Sequence, residues 1–352
     1  LLSIFFLAFE IFGSIYMSLA FRAMNRLGLN QSQFGQFYIV VAYRHLLNGH
    51  FQQVFDNLQR GMEMHRMFGQ NHQLRECLNA RGWIELTIGL QQSSAESFRQ
   101  LYDLADVDLD NYGKMWALLG TAANLAQEGR HDQASEYLDR AAAVEDVTNA
   151  HQLMFALGFR AHINLREGYE EGALDVAERT ISKLKAPTAA AAPHNVLPLH
   201  KLLDVHLTLL EQYQGNDSPH AKAVIKRCVE GINEELTLYR QFIVRIPLMR
   251  CGLHICEGRF AALYQNQNER AEALLKRAVH MSREANLKPM EGAACFELGR
   301  ILPEGSADRK MYLEAAAAIF KAVQAKYDEQ LAIAELASKG ASRIFKMRAE
   351  DV

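Results

Sequence analysis

The chain has 352 residues, of which 49% are hydrophobic and 22% are charged, and this apolar content excludes an intrinsically disordered protein. The formal net charge is −3. Proteins that bind nucleic acid usually carry a basic excess, so we expect no nucleic acid partner. The odd number of cysteines, five, favours reduced thiols in a cytoplasmic protein over a disulfide framework.

The chain opens with an apolar stretch, residues 1–20, which is long enough to span a bilayer. Glu10 near its middle would be costly in hydrocarbon. The stretch also lacks the leading Met and basic residues of a signal peptide. We therefore expect a helix over 1–26 that completes a repeat lying upstream in a longer protein. A membrane anchor formed by residues 1–20 is the alternative.

The next feature is a repeat marked by Gly49, Gly89, Gly129 and Gly168, at spacings of 40, 40 and 39 residues. Each glycine follows one apolar helical stretch and precedes another, as in a helix C-cap followed by a tight turn. Large apolar residues stand eleven positions before each glycine, and small residues stand seven positions before it. Both positions lie on one helical face, so the pattern predicts helical hairpins whose small residues let the two helices approach closely.

The pattern continues more weakly through Gly215, Asn266 and Gly305, which gives about seven hairpins. Each hairpin is too small to bury its own apolar face, so only a stacked all-α array is stable. We predict regular repeats over 1–185, an Ala/Pro-rich connection over 186–199, and divergent repeats with a C-terminal capping helix over 200–352. One uninterrupted superhelix with a long loop at the connection is the alternative.

The large–small–small register resembles the tetratricopeptide repeat, whose usual period is shorter, about 34 residues. Lengthened repeats of this kind resemble the regulatory arms of signalling ATPases of the MalT type. Leu298-Gly299-Arg300 and the run from Trp116 to Gly120 look like the repeat region of multidomain class III nucleotide cyclase proteins. The resemblance implies a right-handed superhelical array, a TPR-like α-solenoid. The sequence shows neither cyclase nor ATPase motifs, so nucleotide chemistry is not carried over.

Motifs that would indicate catalysis are missing from the sequence, including the Gly-x-x-x-x-Gly-Lys phosphate loop, Gly-x-Ser-x-Gly and His-Glu-x-x-His. Cys251, His254 and Cys256 could suggest a metal, but their spacing does not converge on one helical face. Buried thiols explain these residues better. We expect no enzyme activity, no cofactor and no metal from this chain.

Other titratable residues have ordinary explanations. Glu234 and Glu235 point apart on a helix, so we expect them on a solvated face. His194, His200 and His206 form a cluster that thirteen histidines produce easily by chance. A toroidal all-α hydrolase would need inward-facing carboxylates, whereas the repeat register places apolar residues at the inward positions.

In the tetratricopeptide arrangement the first helix of each hairpin lines the concave face. The resemblance therefore implies a partner-binding groove, formed by Tyr43, Asn79, Trp83, Trp116, Phe155 and His162. Aromatic side chains in a groove are suited to anchoring a peptide or a helix. The tryptophans could equally fill tight turns of the superhelix.

The leading hypothesis is a non-catalytic helical-repeat scaffold, or a regulatory and sensor arm, which mediates protein–protein interaction in a signalling protein. Its partner would be a protein, a peptide or other domains of the same parent chain. The alternative is a free-standing peptide-binding adaptor, possibly anchored in a membrane through residues 1–20.

Overall fold

The computed structural model describes Arg22, Arg26 and residues 34–144, 150–184, 196–244 and 246–338. Regular structure within these ranges is helical, with one 3-10 turn at Pro247–Met249. The α-helices are, in chain order, α1 (Phe34–Leu47), α2 (Phe51–Met67), α3 (Asn71–Ile88), α4 (Gln91–Val107), α5 (Asn111–Gln127), α6 (His131–Ala143), α7 (Ala150–Arg166), α8 (Glu170–Leu184), α9 (Val196–Tyr213), α10 (Pro219–Ile243), α11 (Arg250–Leu263), α12 (Asn268–Glu284), α13 (Lys288–Ile301), α14 (Ala307–Ala322) and α15 (Lys326–Ala337).

These helices pack as consecutive pairs, from α1 with α2 to α13 with α14, and α15 packs against α14 at the end. The described chain is thus a stack of seven helical hairpins followed by one more helix. This confirms the predicted all-α solenoid and its number of repeats. The helix predicted over 1–26 and the possible anchor at 1–20 lie outside the described residues. No helix within the described ranges has the length and hydropathy needed to cross a membrane.

The periodic glycines end the first helix of each hairpin, as predicted. Gly49, Gly89, Gly129 and Gly168 have φ angles of 71°, 89°, 80° and 83°. Glycine adopts this left-handed conformation without the steric penalty that a Cβ would impose. At Gly89 the turn is closed by two backbone hydrogen bonds onto the preceding helix, and the next residue's amide donates to the Glu85 carbonyl over 2.8 Å.

The small residue predicted seven positions before each repeat glycine lets neighbouring helices approach closely. Phe98 of α4 lies against both Gly82 of α3 and Gly120 of α5. A Cβ on Gly82 would stand 2.8 Å from the Phe98 ring, and one on Gly120 would stand 2.3 Å from it. Ala122 and Ala161 take the equivalent position in the next two hairpins and are fully buried.

The array continues across the predicted connection at 186–199, most of which lies outside the described residues. Helix α7 before it and helix α9 after it pack directly against each other. The hydrophobic core is shared across the same boundary, since Leu174 and Leu184 belong to one cluster with Leu203 and Leu210. The two halves therefore form one continuous stack.

The superhelix curls until early and late hairpins touch. Helix α3 of the second hairpin contacts α13 of the seventh. At the turn after α3, a Cβ on Gly89 would lie 2.5 Å from Val323 Cγ1. Ile88 packs in one cluster with Leu287, which precedes α13. The concave face is therefore enclosed between the second and the seventh of the described hairpins.

Candidate ligand chamber

The enclosed concave face surrounds a cavity of about 280 Å³. Its walls come from the first helices of hairpins two to seven (α3, α5, α7, α9, α11 and α13), with α15 and single residues of α6 and α14. We call this cavity the chamber. The predicted register contributes one wall, because Leu86, Ala126 and Leu165, each three residues before a repeat glycine, all line the chamber.

The chamber lining has an apolar part and a charged part, which we call the apolar wall and the charged wall. The apolar wall includes Leu86, Ala123, Phe159, Leu197, Met290 and Phe296. The charged wall comes mainly from α7, α9, α11, α13 and α15, and three of these helices also contribute to the apolar wall. A small molecule with one apolar and one polar part would find complementary surface for each part.

Arginines neutralise the carboxylates at one end of the charged wall. Arg259 lies 2.6 Å from Asp204 and 3.2 Å from Glu297. Arg300 pairs with Glu297 at 3.1 Å and with Glu211. Burial raises the pKa of Glu211 in spite of its arginine neighbours. Ion pairs this far from water persist only with such multiple partners.

Helix α15 joins the wall through Arg166 of α7. The Arg166 guanidinium lies 4.1 Å from the centroid of the Tyr327 ring and 3.4 Å from a carboxylate oxygen of Asp328. It also reaches Asp204 at 3.4 Å. The His131 ring also contacts Tyr327, at 5.4 Å between ring centroids. The fourth hairpin and the last helix are thus bound to each other at the chamber.

Three histidines in the same wall are neutral. Burial, together with the positive charges of Arg166 and Lys201, lowers the pKa of His131 to about 4. Burial and Lys201 likewise lower the pKa of His200 to about 4. The pKa of His162 is also lowered, chiefly by burial, although its Nε2 lies 3.0 Å from Asp204. Burial also lowers the pKa of Lys201.

One pair in the wall resembles a nucleophile with a base. Cys256 Sγ lies 3.6 Å from His200 Nδ1. Burial raises the pKa of Cys256 and lowers that of His200, so both groups are neutral near neutral pH. A thiol of this kind is unreactive, because the thiolate is the nucleophile.

Three of the predicted groove residues come together in an aromatic cluster beside the chamber. Trp83 donates a hydrogen bond from its indole nitrogen to Asn79 over 3.0 Å. Its ring lies 4.3 Å from Phe155 and 5.1 Å from Phe98, measured between centroids. Trp83 and Asn79 are half-buried and Phe155 is buried. Trp83 therefore connects the second hairpin to the fourth across the third.

Of the other three predicted groove residues, Trp116 and Tyr43 pack with Trp83 against one hydrophobic cluster, and His162 lies in the chamber lining. Trp116 is half-buried, with its ring 4.5 Å from Tyr112. Tyr43 lies on α1 among the packed residues of the first two hairpins, and burial raises its pKa to about 12. His162 is buried in the charged wall of the chamber. The assignment of these six residues to one partner-binding groove stays a prediction.

Two predictions about carboxylates are wrong. Asp204, Glu211 and Glu297 face the chamber, where apolar residues were expected. Glu235 is fully buried instead of solvated, and His206 Nδ1 lies 3.0 Å from its carboxylate. In both cases a cationic or imidazole partner supplied by another helix makes burial possible, which the spacing within one helix does not reveal.

The prediction of buried thiols is confirmed. All five cysteines are free and buried, including Cys251 and Cys256. Within the described ranges no group of His, Cys, Asp and Glu side chains is arranged to hold a metal ion.

The charged wall is what sequence analysis missed. Helix α9 contains the one sequence signal of the charged wall. Its residues Lys201, Asp204 and Glu211 interrupt a helix that is otherwise largely apolar and buried. Charges at such positions need partners, and the partners Arg259, Glu297 and Arg300 lie on the divergent later repeats, outside the register that the glycines define.

Comparison with known proteins does not assign the chain to a family. No family model matches it, and no curated protein matches it. The solved structure of BtubC (BKLC) from P. vanneervenii is 15% identical, with a TM-score of 0.38, and the match covers 75% of this chain and 95% of that chain. A tetratricopeptide repeat protein from Parabacteroides merdae is 17% identical, with a TM-score of 0.29, over 74% of this chain and 97% of that chain. At TM-scores this low neither similarity carries an inference about function.

Proposed function

We propose that this chain is a non-catalytic helical-repeat sensor arm, which acts in the cytoplasm and belongs to a signalling protein. One observation carries the proposal: the chamber wall is shared by the middle of the array and its last helix. Arg166 of α7 contacts Tyr327 and Asp328 of α15 across it. A molecule in the chamber would contact both parts, so its binding would favour one arrangement of the array over another.

The output of such an arm is a contact with a protein, either a separate partner or another domain of the same parent chain. The stack of hairpins offers a long outer surface for this purpose, as in other repeat architectures. The neutral Cys256–His200 pair supports a role without catalysis, because neither group is activated.

The test compares partner binding by two alanine variants of glycines with the same backbone conformation. Gly89→Ala would place a methyl group against Val323, where the second and seventh hairpins meet. Gly168→Ala imposes the same backbone strain at φ +83°, with nothing within 4 Å of the new methyl group. Bound partners are captured by cross-linking and identified by mass spectrometry. We expect at least one partner that binds the Gly89→Ala variant and the Gly168→Ala variant to different extents.

Two results would overturn the proposal. One is equal partner binding by both variants, which would mean that closure of the array does not control the contact. The other is turnover of esters, phosphates or nucleotides by the purified chain, which would make it an enzyme.

A peptide-binding adaptor is the second candidate function, favoured by the partial exposure of Trp83 and Trp116. Phenylalanine at both positions keeps an aromatic ring in the packed cluster while removing the indole nitrogen and part of the contact area. A displayed peptide library should then give ligands for the wild type that the double variant binds at least about tenfold more weakly, as expected for tryptophan anchors. Equal affinity would contradict this candidate.

A further inference from the structure

Lys201 is the exception in the charge arrangement of the chamber. Each chamber carboxylate, Asp204 and Asp328 included, has an arginine partner within ion-pair distance. Lys201 lines the same wall but makes no hydrogen bond or ion pair with any described residue. Asp204 and Asp328 act on its charge only from beyond ion-pair distance, and both already pair with arginines. A largely buried ammonium group without a direct counterion is costly, so a bound anion would stabilise it.

Unused polar atoms surround the same corner of the chamber. Gln127 Nε2, both ring nitrogens of His131 and Nδ1 of His162 are buried and have no hydrogen-bond partner among the described residues. All three side chains line the chamber, and His162 is only 5% exposed. Native proteins rarely leave such atoms unsatisfied, so their concentration here points to a polar group that a ligand supplies.

The apolar lining defines the rest of the ligand. Leu86, Ala123, Phe159, Leu197 and Met290 present apolar surface to the chamber. The volume, about 280 Å³, lies near the lower end of the range for small-molecule sites, about 300–1,000 Å³. The ligand is therefore small and has an apolar body joined to one anionic group.

We propose that the chamber binds a small amphipathic carboxylic acid, whose carboxylate pairs with Lys201 and accepts hydrogen bonds from Gln127 and His131 while its apolar body packs on the Leu86 wall. This inference rests on the proposed sensor function, because it names the class of molecule that the chamber would sense. A carboxylate of this kind occurs in a free short-chain or medium-chain acid and at the C-terminus of an apolar peptide.

The experiment is titration calorimetry of the whole chain with defined probes. Octanoate is the acid, and octanamide is its neutral match. An apolar tetrapeptide with a free C-terminus, compared with its amidated form, tests the peptide source. The variant is Lys201→Met, which keeps the length of the side chain and removes its charge. The control is Lys276→Met, since Lys276 is exposed on α12 and pairs only with Glu272 on the same helix.

We expect octanoate or the free peptide to bind, and the neutral form of the same probe to bind about 10- to 100-fold more weakly, as for the loss of a charged hydrogen-bonded pair. Lys201→Met should lose affinity by a similar factor, and Lys276→Met should bind as the wild type does. If Lys201→Met does not fold, acetylation of the wild type provides the test. Octanoate should protect the Lys201 amine from acetic anhydride, and octanamide should not.

Three outcomes would overturn the inference: equal binding of acid and amide, full affinity in Lys201→Met, or no binding of any probe at millimolar concentration. Equal binding of acid and amide would still leave the chamber a ligand site, so the proposed sensor function would survive it. The partner experiment with the two glycine variants and the turnover assay decide the sensor function itself.

Discussion

The guanidinium of Arg166 lies over the ring of Tyr327, 4.1 Å from its centroid, and so joins the fourth hairpin to the last helix. Asp328 adds a carboxylate oxygen 3.4 Å from the same guanidinium. The Arg166 side chain is largely buried, and a partly desolvated cation–π contact is stronger than a fully exposed one. The contact therefore contributes to holding α15 against the rest of the array.

Replacement of Tyr327 by leucine should loosen α15. We expect a loss of about 1–2 kcal/mol in the free energy of unfolding, because the substitution removes the cation–π contact and leaves the Arg166 charge with less compensation. Urea unfolding measures the loss, and amide hydrogen exchange should increase specifically within Lys326–Ala337.

A pair of the same kind that lies within one helix and outside the chamber provides the control. Arg140 lies 4.6 Å from the ring centroid of Tyr137, and both residues belong to α6. Tyr137→Leu should cost no more than about 1 kcal/mol and leave the exchange of α15 unchanged. Equal effects of the two substitutions would mean that Tyr327 has no special role in closure.

The contact between the second and seventh hairpins can be tested through Gly89. Gly89→Ala should destabilise the chain more than Gly168→Ala, since both lose a left-handed glycine but only the first meets Val323. The shared backbone penalty is about 1–2 kcal/mol, and overpacking adds about 1–3 kcal/mol to Gly89→Ala alone. Thermal unfolding of the two variants measures the difference. Equal stabilities would show that the contact has little energetic weight.

The neutral chamber histidines predict a loss of stability in mild acid. Their pKa values are depressed in the folded chain, to about 4 for His131 and His200. Below the ordinary histidine pKa of about 6.5, the unfolded chain takes up protons that the folded chain does not. The free energy of unfolding should therefore fall as pH drops from about 6.5 towards 4.

His200→Gln isolates one of these contributions. Between about pH 7 and about pH 5 the variant should lose roughly 1–2 kcal/mol less stability than the wild type in urea titrations. His72→Gln is the control, because it makes the same substitution at an exposed histidine of α3 that does not line the chamber. An identical pH dependence in His200→Gln and the wild type would contradict the assignment.

The buried His206–Glu235 pair predicts the opposite pH dependence of the free energy of unfolding. Burial opposes the charge on His206, but the Glu235 carboxylate outweighs it and raises the His206 pKa. The stabilisation that the raised pKa provides is complete below about pH 6.5 and is lost as pH rises through the pKa of the folded chain. Glu235→Gln should cost about 3–5 kcal/mol and remove this decline, as measured by urea unfolding across the pH range.

The exposed neighbour Glu234 gives the matched control for Glu235. Glu234→Gln changes the same functional group one residue away on the same helix and should cost less than about 1 kcal/mol. If the two substitutions had similar costs, the buried pair would not be the source of the effect.

The repeat could be predicted because its turns require particular residues. Gly89 and Gly129 adopt a left-handed backbone conformation that favours glycine, and Gly82 leaves room for Phe98. At these positions the residue type itself therefore indicates the turn or the close helix packing. The period of about 40 residues follows from the length of the helices, since α3 has 18 residues and α4 and α5 have 17 each.

The charged wall and the closure could not be predicted in the same way. Lys201 and Arg259 lie after the connection, where the glycine register weakens. The contact of Gly89 with Val323 depends on small rotations between hairpins that accumulate along the stack, and no local pattern encodes them. The apolar chamber positions Leu86 and Ala126 lie three residues before Gly89 and Gly129, in the part of the chain where the register holds.

The meeting of the second and seventh hairpins has a consequence for folding cooperativity. In an open solenoid each repeat touches only its neighbours, so terminal repeats can fray while the middle stays folded. Here α13 is fixed to α3 and α15 is fixed to α7. Fraying of the C-terminal repeats would break contacts with the early hairpins as well, so the chain should unfold in one concerted transition, at the cost of slower folding from its distant contacts.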